Sequence, residues 1–157
     1  MAAKLHTYRV TVDWTGNRGQ GTPNHTGYDR DHTIAAGTKS PIAGSSDPAF
    51  RGDPARWNPE ELLLASISAC HKLWYLSLCA RDGISVLRYH DEAEASMVED
   101  PNGAGRFVAA VLRPVITIQA GGDLARATRL HHDAHRYCFI ANSVNFPVTC
   151  EPIITIS

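Results

Sequence analysis

From Leu5 to Trp14 apolar and polar residues alternate: Tyr8, Val10, Val12 and Trp14 fall on one side, Thr7, Arg9, Thr11 and Asp13 on the other. A period of two predicts a half-buried strand. After the turn cluster Thr15-Gly16-Asn17-Arg18-Gly19, roughly Tyr28 to Ala36 predicts a second strand antiparallel to the first. Gly37 to Trp57 has little periodicity and reads as a loop of about twenty residues, a length that is usually functional or disordered in a compact domain. The pattern then changes. Asn58-Pro59-Glu60-Glu61-Leu62 opens a run that stays apolar on every face to Cys79, with Lys72 its only formal charge between Leu62 and Cys79. Asn58 suits the N-cap, Pro59 the first helical position, Glu60 and Glu61 the positive end of the helix dipole, and Gly83 the left-handed C′ position. The spacing predicts one long helix, buried nearly all round, around which the rest is organised. Its Ser, His and Lys content and its short unbroken apolar run make a membrane span an unconvincing reading.

Ile84 to Val98 predicts a strand with a solvated face, Pro101-Asn102-Gly103-Ala104-Gly105 a hairpin turn, and Phe107 to Ile118 the return strand, with Pro114 at a bulge or an edge. Gly121-Gly122 breaks the sheet, Asp123 caps a second helix to about Tyr137, Cys138 to Val144 forms a further helical turn, and Pro147 to Ile156 a last strand. The fold class is α+β: antiparallel strands in two groups around a long buried central helix. The 157 residues fit a single domain, 1–157.

Composition narrows the function classes. A net charge of −1 with 20% charged residues gives no electrostatic footprint for nucleic acid or an anionic membrane. The start of the chain holds no apolar h-region, and four cysteines in a chain this long do not form a disulfide scaffold; a cytoplasmic location is expected. Cysteines that pair there do so transiently, for redox work.

The chemistry rests on few residues. Cys70, in the middle of the long helix, is either an inert core thiol or a shielded nucleophile. A reactive thiolate needs a nearby positive charge, which Arg51 or Arg56 in the preceding loop can supply. A second cysteine can resolve an oxidised first one. Cys79, about 180° around the helix from Cys70, reads as a core thiol, as does Cys150 in the last strand. His131, His132 and His135 cluster on the second helix. His131 and His135 share a face at a spacing able to bind zinc, but a solvated face is the favoured reading. His71, beside Cys70, points about 100° away from it and reads as packing or as tuning that thiol. Trp57, Trp74 and Tyr75 are candidates to line an apolar pocket.

The run Asn58-Pro59-Glu60-Glu61-Leu62, with Ser68-Ala69-Cys70 ten positions after Glu60, resembles the signature of the OsmC/Ohr family of osmotically inducible and organic-hydroperoxide-resistance proteins. Arg51 before the motif, Gly83 after the helix and Cys138 after the second helix agree with it. The resemblance implies an intertwined homodimer with two active sites at its interface. It implies a thiol-dependent peroxidase that reduces organic hydroperoxides, with Cys70 peroxidatic, Cys138 resolving, and Glu60 and Arg51 activating the thiol. It implies no metal, haem or flavin, and a lipoyl- or thioredoxin-type dithiol as reductant. Glu60 and Cys70 lie about 15 Å apart along a straight helix, so the Glu60–Arg51 pair serving one Cys70 is expected to come at least partly from the partner chain. His71 stands where the peroxidases carry an aromatic residue, which makes the chain a less characterised OsmC-like branch. A non-catalytic dimeric module binding a hydrophobic ligand at the same interface is the alternative; a metal-dependent hydrolase built on the histidines is a weak third.

Overall fold

The computed structural model of the chain describes residues 3–157. The chain forms two compact units, Met1–Leu62 and Leu63–Ser157. In the first, strands β1 (Thr11–Trp14), β2 (His32–Ala35) and β3 (Ile42–Gly44) make one antiparallel sheet in that order. The antiparallel pairing of the first two strands agrees with the sequence, and Thr11 faces Ala35 while Trp14 faces His32. The expected burial does not: β1 is exposed along its length and Tyr8 is 87% exposed. Alternation fixes which side a residue points to, not whether anything covers that side.

The expected loop from Gly37 to Trp57 is also corrected. It contains β3 and a 3₁₀ turn at Pro48–Phe50, in which the Ala49 N–H finds the Asp47 carboxylate (2.7 Å). Trp57 closes the segment, donating its N–H to the Ala43 carbonyl (3.1 Å) and accepting that of Ser45 (2.9 Å). A three-residue strand is too short to display a period. Its Gly44 is required by contact: a Cβ there would lie 2.3 Å from His32 Nε2.

Helix α1 runs Pro59–Arg81. Its start is a capping box. Asn58 Oδ1 accepts the Glu61 N–H (2.8 Å), and the Glu61 carboxylate accepts the Asn58 N–H (3.3 Å). Its end is a Schellman turn: Gly83 has φ 71°, its N–H reaches the Ala80 carbonyl, and Ile84 N–H reaches that of Cys79 (2.8 Å). The expectation of burial on all sides is not met within one chain. Ile67, His71, Tyr75, Leu78 and Cys79 form a single buried stripe at spacings of three and four, while Leu73 is 62% exposed. By length and composition alone α1 is also apolar enough to cross a membrane, contrary to the reading from its Ser, His and Lys content. Its stripe, however, is packed in protein.

The second unit corrects the two antiparallel groups. Each strand expected from the sequence is bent into two, and the halves join different sheets. Strands β4 (Val86–Asp91), β7 (Pro114–Ile118) and β9 (Ile153–Ile156) form one sheet, ordered β4-β7-β9. Strands β5 (Glu94–Glu99), β6 (Gly105–Leu112) and β8 (Val148–Cys150) form another, ordered β5-β6-β8. The β4–β7 and β5–β6 pairs are antiparallel, as expected of the hairpin at 100–104; β6–β8 and β7–β9 are parallel. One arginine ties the three bends. Arg113, between β6 and β7, donates its backbone N–H to Asp91 Oδ1 (2.7 Å) and its guanidinium to Glu94 (3.0 Å) and Glu151 (3.2 Å). Helix α2 (Leu124–Tyr137) starts as expected at Asp123, whose carboxylate accepts the Arg126 N–H (2.8 Å). It buries Ala127, Leu130, His131 and Ala134. The core unites Tyr75, Leu78 and Cys79 of α1 with Ile84, Ile116 and Ile118 and with the α2 face.

Candidate functional site

Cys70 lies on α1 beside the buried stripe and is half-exposed. Cys138 is the residue at which α2 ends. Its φ and ψ of −68° and 106° turn the chain out of the helix, and its N–H still reaches the His135 carbonyl (3.2 Å). Asn142 returns a hydrogen bond to the Cys138 carbonyl (3.0 Å) and the Ala141 N–H points at Cys138 Sγ (3.4 Å). The short 3₁₀ turn Ala141–Ser143, where the sequence predicts a helical turn, thereby holds this thiol in place. Burial pushes the Cys138 thiol up to about 11; the Ala141 N–H opposes the rise, and the neighbouring Cys70 thiol adds to it. Cys138 is thus a neutral thiol at physiological pH with Cys70 as its neighbour. An aromatic cluster flanks both. Trp74, one turn beyond Cys70, stacks on Tyr137 (ring centroids 5.1 Å apart) and meets Phe139 edge-on (5.8 Å).

Arg51 and Glu60 belong to the first unit. Arg51 ends the 3₁₀ turn in the left-handed region (φ 68°), with its N–H on the Pro48 carbonyl and its side chain exposed. Gly52 behind it is crowded against the Ser46 carbonyl, where any Cβ would overlap. Glu60 Oε2 is buried with no hydrogen-bond partner among the described residues. Arg56, the other candidate cation, is already engaged: Asp31 and Asp53 hold its guanidinium at 3.1 and 3.5 Å. Tyr75 is no pocket wall; it is fully buried and stacks on His131 (3.9 Å).

A second cluster escaped the sequence. His71 Nε2 and His131 Nδ1 are 3.0 Å apart, and Cys150 Sγ is 3.6 Å from each. Both imidazoles are buried. Burial pushes His71 down to about 4, against the pull of the Asp91 carboxylate, and His131 to about 3, so both rings are neutral. Cys150 reads as a core thiol in the sequence, and His131 as sharing a face with His135. Instead His131 turns into the core beside a thiol while His132 stays exposed. The one available signal was His71 itself, which falls in register with the apolar stripe Ile67, Tyr75 and Leu78.

Fold and thiols together define the class: an α+β protein that sets a half-exposed cysteine on a long helix beside a buried one at the end of a second helix. The chain belongs to the OsmC-like protein family, which matches residues 52–152. An OsmC-like protein of unknown function from Vibrio cholerae is 30% identical, with a TM-score of 0.84 over 95% of this chain and 100% of that one. An organic hydroperoxide resistance protein from Legionella pneumophila (18% identity, TM-score 0.67, 98% of this chain, 99% of that one) has the same fold. So does one from Elizabethkingia anophelis (16%, 0.69, 99% and 100%). No curated protein matches the chain.

Proposed function

We propose that the protein is a thiol-dependent peroxidase that reduces organic hydroperoxides. The observation that carries this reading is the pair Cys70 and Cys138: a partly buried thiol beside a buried, neutral one. The Cys70 thiolate attacks one peroxide oxygen, the O–O bond breaks, and the alkoxide leaves and takes a proton from solvent. Cys70 becomes a sulfenic acid. The Cys138 sulfur then attacks it, its proton leaves with the hydroxyl as water, and a Cys70–Cys138 disulfide forms. An external dithiol, lipoyl- or thioredoxin-type, restores both thiols by exchange; the cycle uses no bound cofactor. The stack of Trp74 on Tyr137 and Phe139 supports an alkyl-substituted peroxide as substrate over hydrogen peroxide.

The activating cation is Arg51, since Asp31 and Asp53 already engage Arg56. An exposed guanidinium beside the reacting oxygens stabilises the thiolate and the departing alkoxide. Glu60, with a buried oxygen that has no donor among the described residues, is suited to hold that guanidinium. The working form is an intertwined homodimer in which the Arg51–Glu60 pair of one chain serves Cys70 of the other. The exposed apolar side of β1 and the exposed Leu73 of α1 support a second subunit covering them.

The test is a thiol count on reduced protein after one equivalent of cumene hydroperoxide, with disulfide mapping by mass spectrometry. Loss of two thiols, a Cys70–Cys138 link, and a trapped sulfenic acid in Cys138→Ser are expected. Survival of all four thiols in excess peroxide would refute the reading.

A further inference from the structure

We propose that His71, His131 and Cys150 form a binding site for a single Zn(II) ion, separate from the thiol pair. The three side chains come from α1, α2 and β8, and their ligand atoms lie within 4.8 Å of one another. Zinc–nitrogen bonds of about 2.0–2.1 Å and a zinc–sulfur bond of about 2.3 Å, set at a tetrahedral angle, require about 3.3 Å between the nitrogens and about 3.6 Å from each to sulfur. The distances present are 3.0 Å between the nitrogens and 3.6 Å for both nitrogen–sulfur pairs. Opening the nitrogen pair by a few tenths of an ångström completes one tetrahedral face. The donor set, two imidazoles and a thiolate, suits zinc and excludes magnesium or calcium, which take oxygen.

The site is a built one. Both histidines are buried, at 1% and 4% exposure, on helix faces that otherwise carry core residues. The rings are stacked nearly parallel (9°), and Tyr75 lies against the outer face of the second. His71 sits on α1 four residues before Tyr75, and Cys150 ends β8 opposite Leu112, at the bend that Arg113 fastens through Glu151 and Asp91. Two helices and a strand therefore bring the three ligand atoms together. Cys150, the partly exposed member, marks the side from which an ion reaches the site. The fourth tetrahedral position stays available for water or an exogenous group. The ion would staple both helices to the strand.

This inference does not rest on the peroxidase reading, and it departs from the metal-free protein that the family resemblance implies. The test uses the reduced full-length chain, stripped with chelator and titrated with Zn(II) against a chromophoric competitor, and with Co(II) as a spectroscopic probe. One equivalent of zinc is expected, and the cobalt form should carry a thiolate charge-transfer band and intense tetrahedral d–d absorption. Cys150→Ala and His131→Gln should each weaken zinc binding by more than about 100-fold, beyond the usual loss of an outer-shell partner. The triple variant Cys70→Ser/Cys79→Ala/Cys138→Ser should keep the cobalt band, because Cys150 is then the only thiol; it decides the matter even where Cys150→Ala does not fold. Absence of metal binding at micromolar concentrations, loss of the band in the triple variant, or unchanged binding in Cys150→Ala would overturn the site. Stoichiometric Cu(I) binding without zinc binding would overturn the zinc assignment.

Discussion

Cys70 and His71 are adjacent on α1, yet they open onto opposite kinds of environment. Cys70 is partly buried and neighbours Cys138; His71 faces the core with His131 and Cys150. One step along a helix is about 100°, enough to turn the Cys70 side chain away from the buried histidine pair. A thiol that must meet substrate and reductant cannot be sealed off, whereas ligands for an ion gain by being buried, because the surrounding core fixes their geometry. The largest expected effect breaks this comparison directly. Cys70→Ser should lower organic-peroxide reduction by about 10³-fold or more in a coupled dithiol assay, as loss of a nucleophile does. Retention of activity in that variant would move the chemistry to another thiol, Cys150 foremost.

The next effect tests what surrounds the first site. Arg51→Ala should reduce peroxide turnover by about 10²-fold, the scale of removing one oxyanion donor. Arg56→Ala, whose guanidinium Asp31 and Asp53 already hold, should cost a few-fold at most. A reversed order would make Arg56 the activating cation. Mixing Cys70→Ser with Arg51→Ala chains should restore part of the activity if the two residues serve each other across a dimer.

Local chemistry made the helix ends legible. Asn58 with Glu61, Gly83, and Asp123 each satisfy backbone groups within a few residues, so the caps were readable from neighbours in the chain. The hairpin at Asn102-Gly103 was readable for the same reason. The bends were not. Apolar residues continue through Arg113, and strand propensity does not register that Asp91, Glu94 and Glu151 gather around it from positions far apart in sequence. The parallel β6–β8 and β7–β9 pairs depend on that gathering. The candidate residues divide likewise. Glu60 and Cys70 stand in a motif with fixed spacing, and Arg51 and Cys138 became candidates through the resemblance that motif carries. His71, His131 and Cys150 are 60 and 19 residues apart, and only the packing of α1, α2 and β8 makes them neighbours.

The pH dependence of stability separates the buried Cys138 thiol from ordinary ones. Burial raises the Cys138 pKa to about 11, so the folded state favours the neutral thiol. That contribution is complete below the unfolded value of about 8.5 and is lost as pH rises through the folded value. Wild-type protein under reducing conditions should therefore lose of order 2 kcal/mol more than Cys138→Ala between pH 9 and 11 by denaturant titration, from a shift of roughly two units. Equal losses in the two proteins would mean that Cys138 is solvated in solution.

The smallest effect concerns the thiol that belongs to neither site. Cys79 is fully buried in the core with Tyr75, Ile116 and Leu130, and it lies around α1 from Cys70. Its own pKa is raised, chiefly by burial, which keeps it protonated and unreactive. Removing its sulfur leaves a void of about one methyl group, so Cys79→Ala should cost about 1 kcal/mol in unfolding free energy. Peroxide consumption should be unchanged, since no step passes through this residue. If Cys79→Ala instead slowed disulfide formation between Cys70 and Cys138, the stripe it belongs to would be holding α1 in the rotation that turns Cys70 toward Cys138 and His71 to the core. The two environments would then be coupled through the packing of one helix.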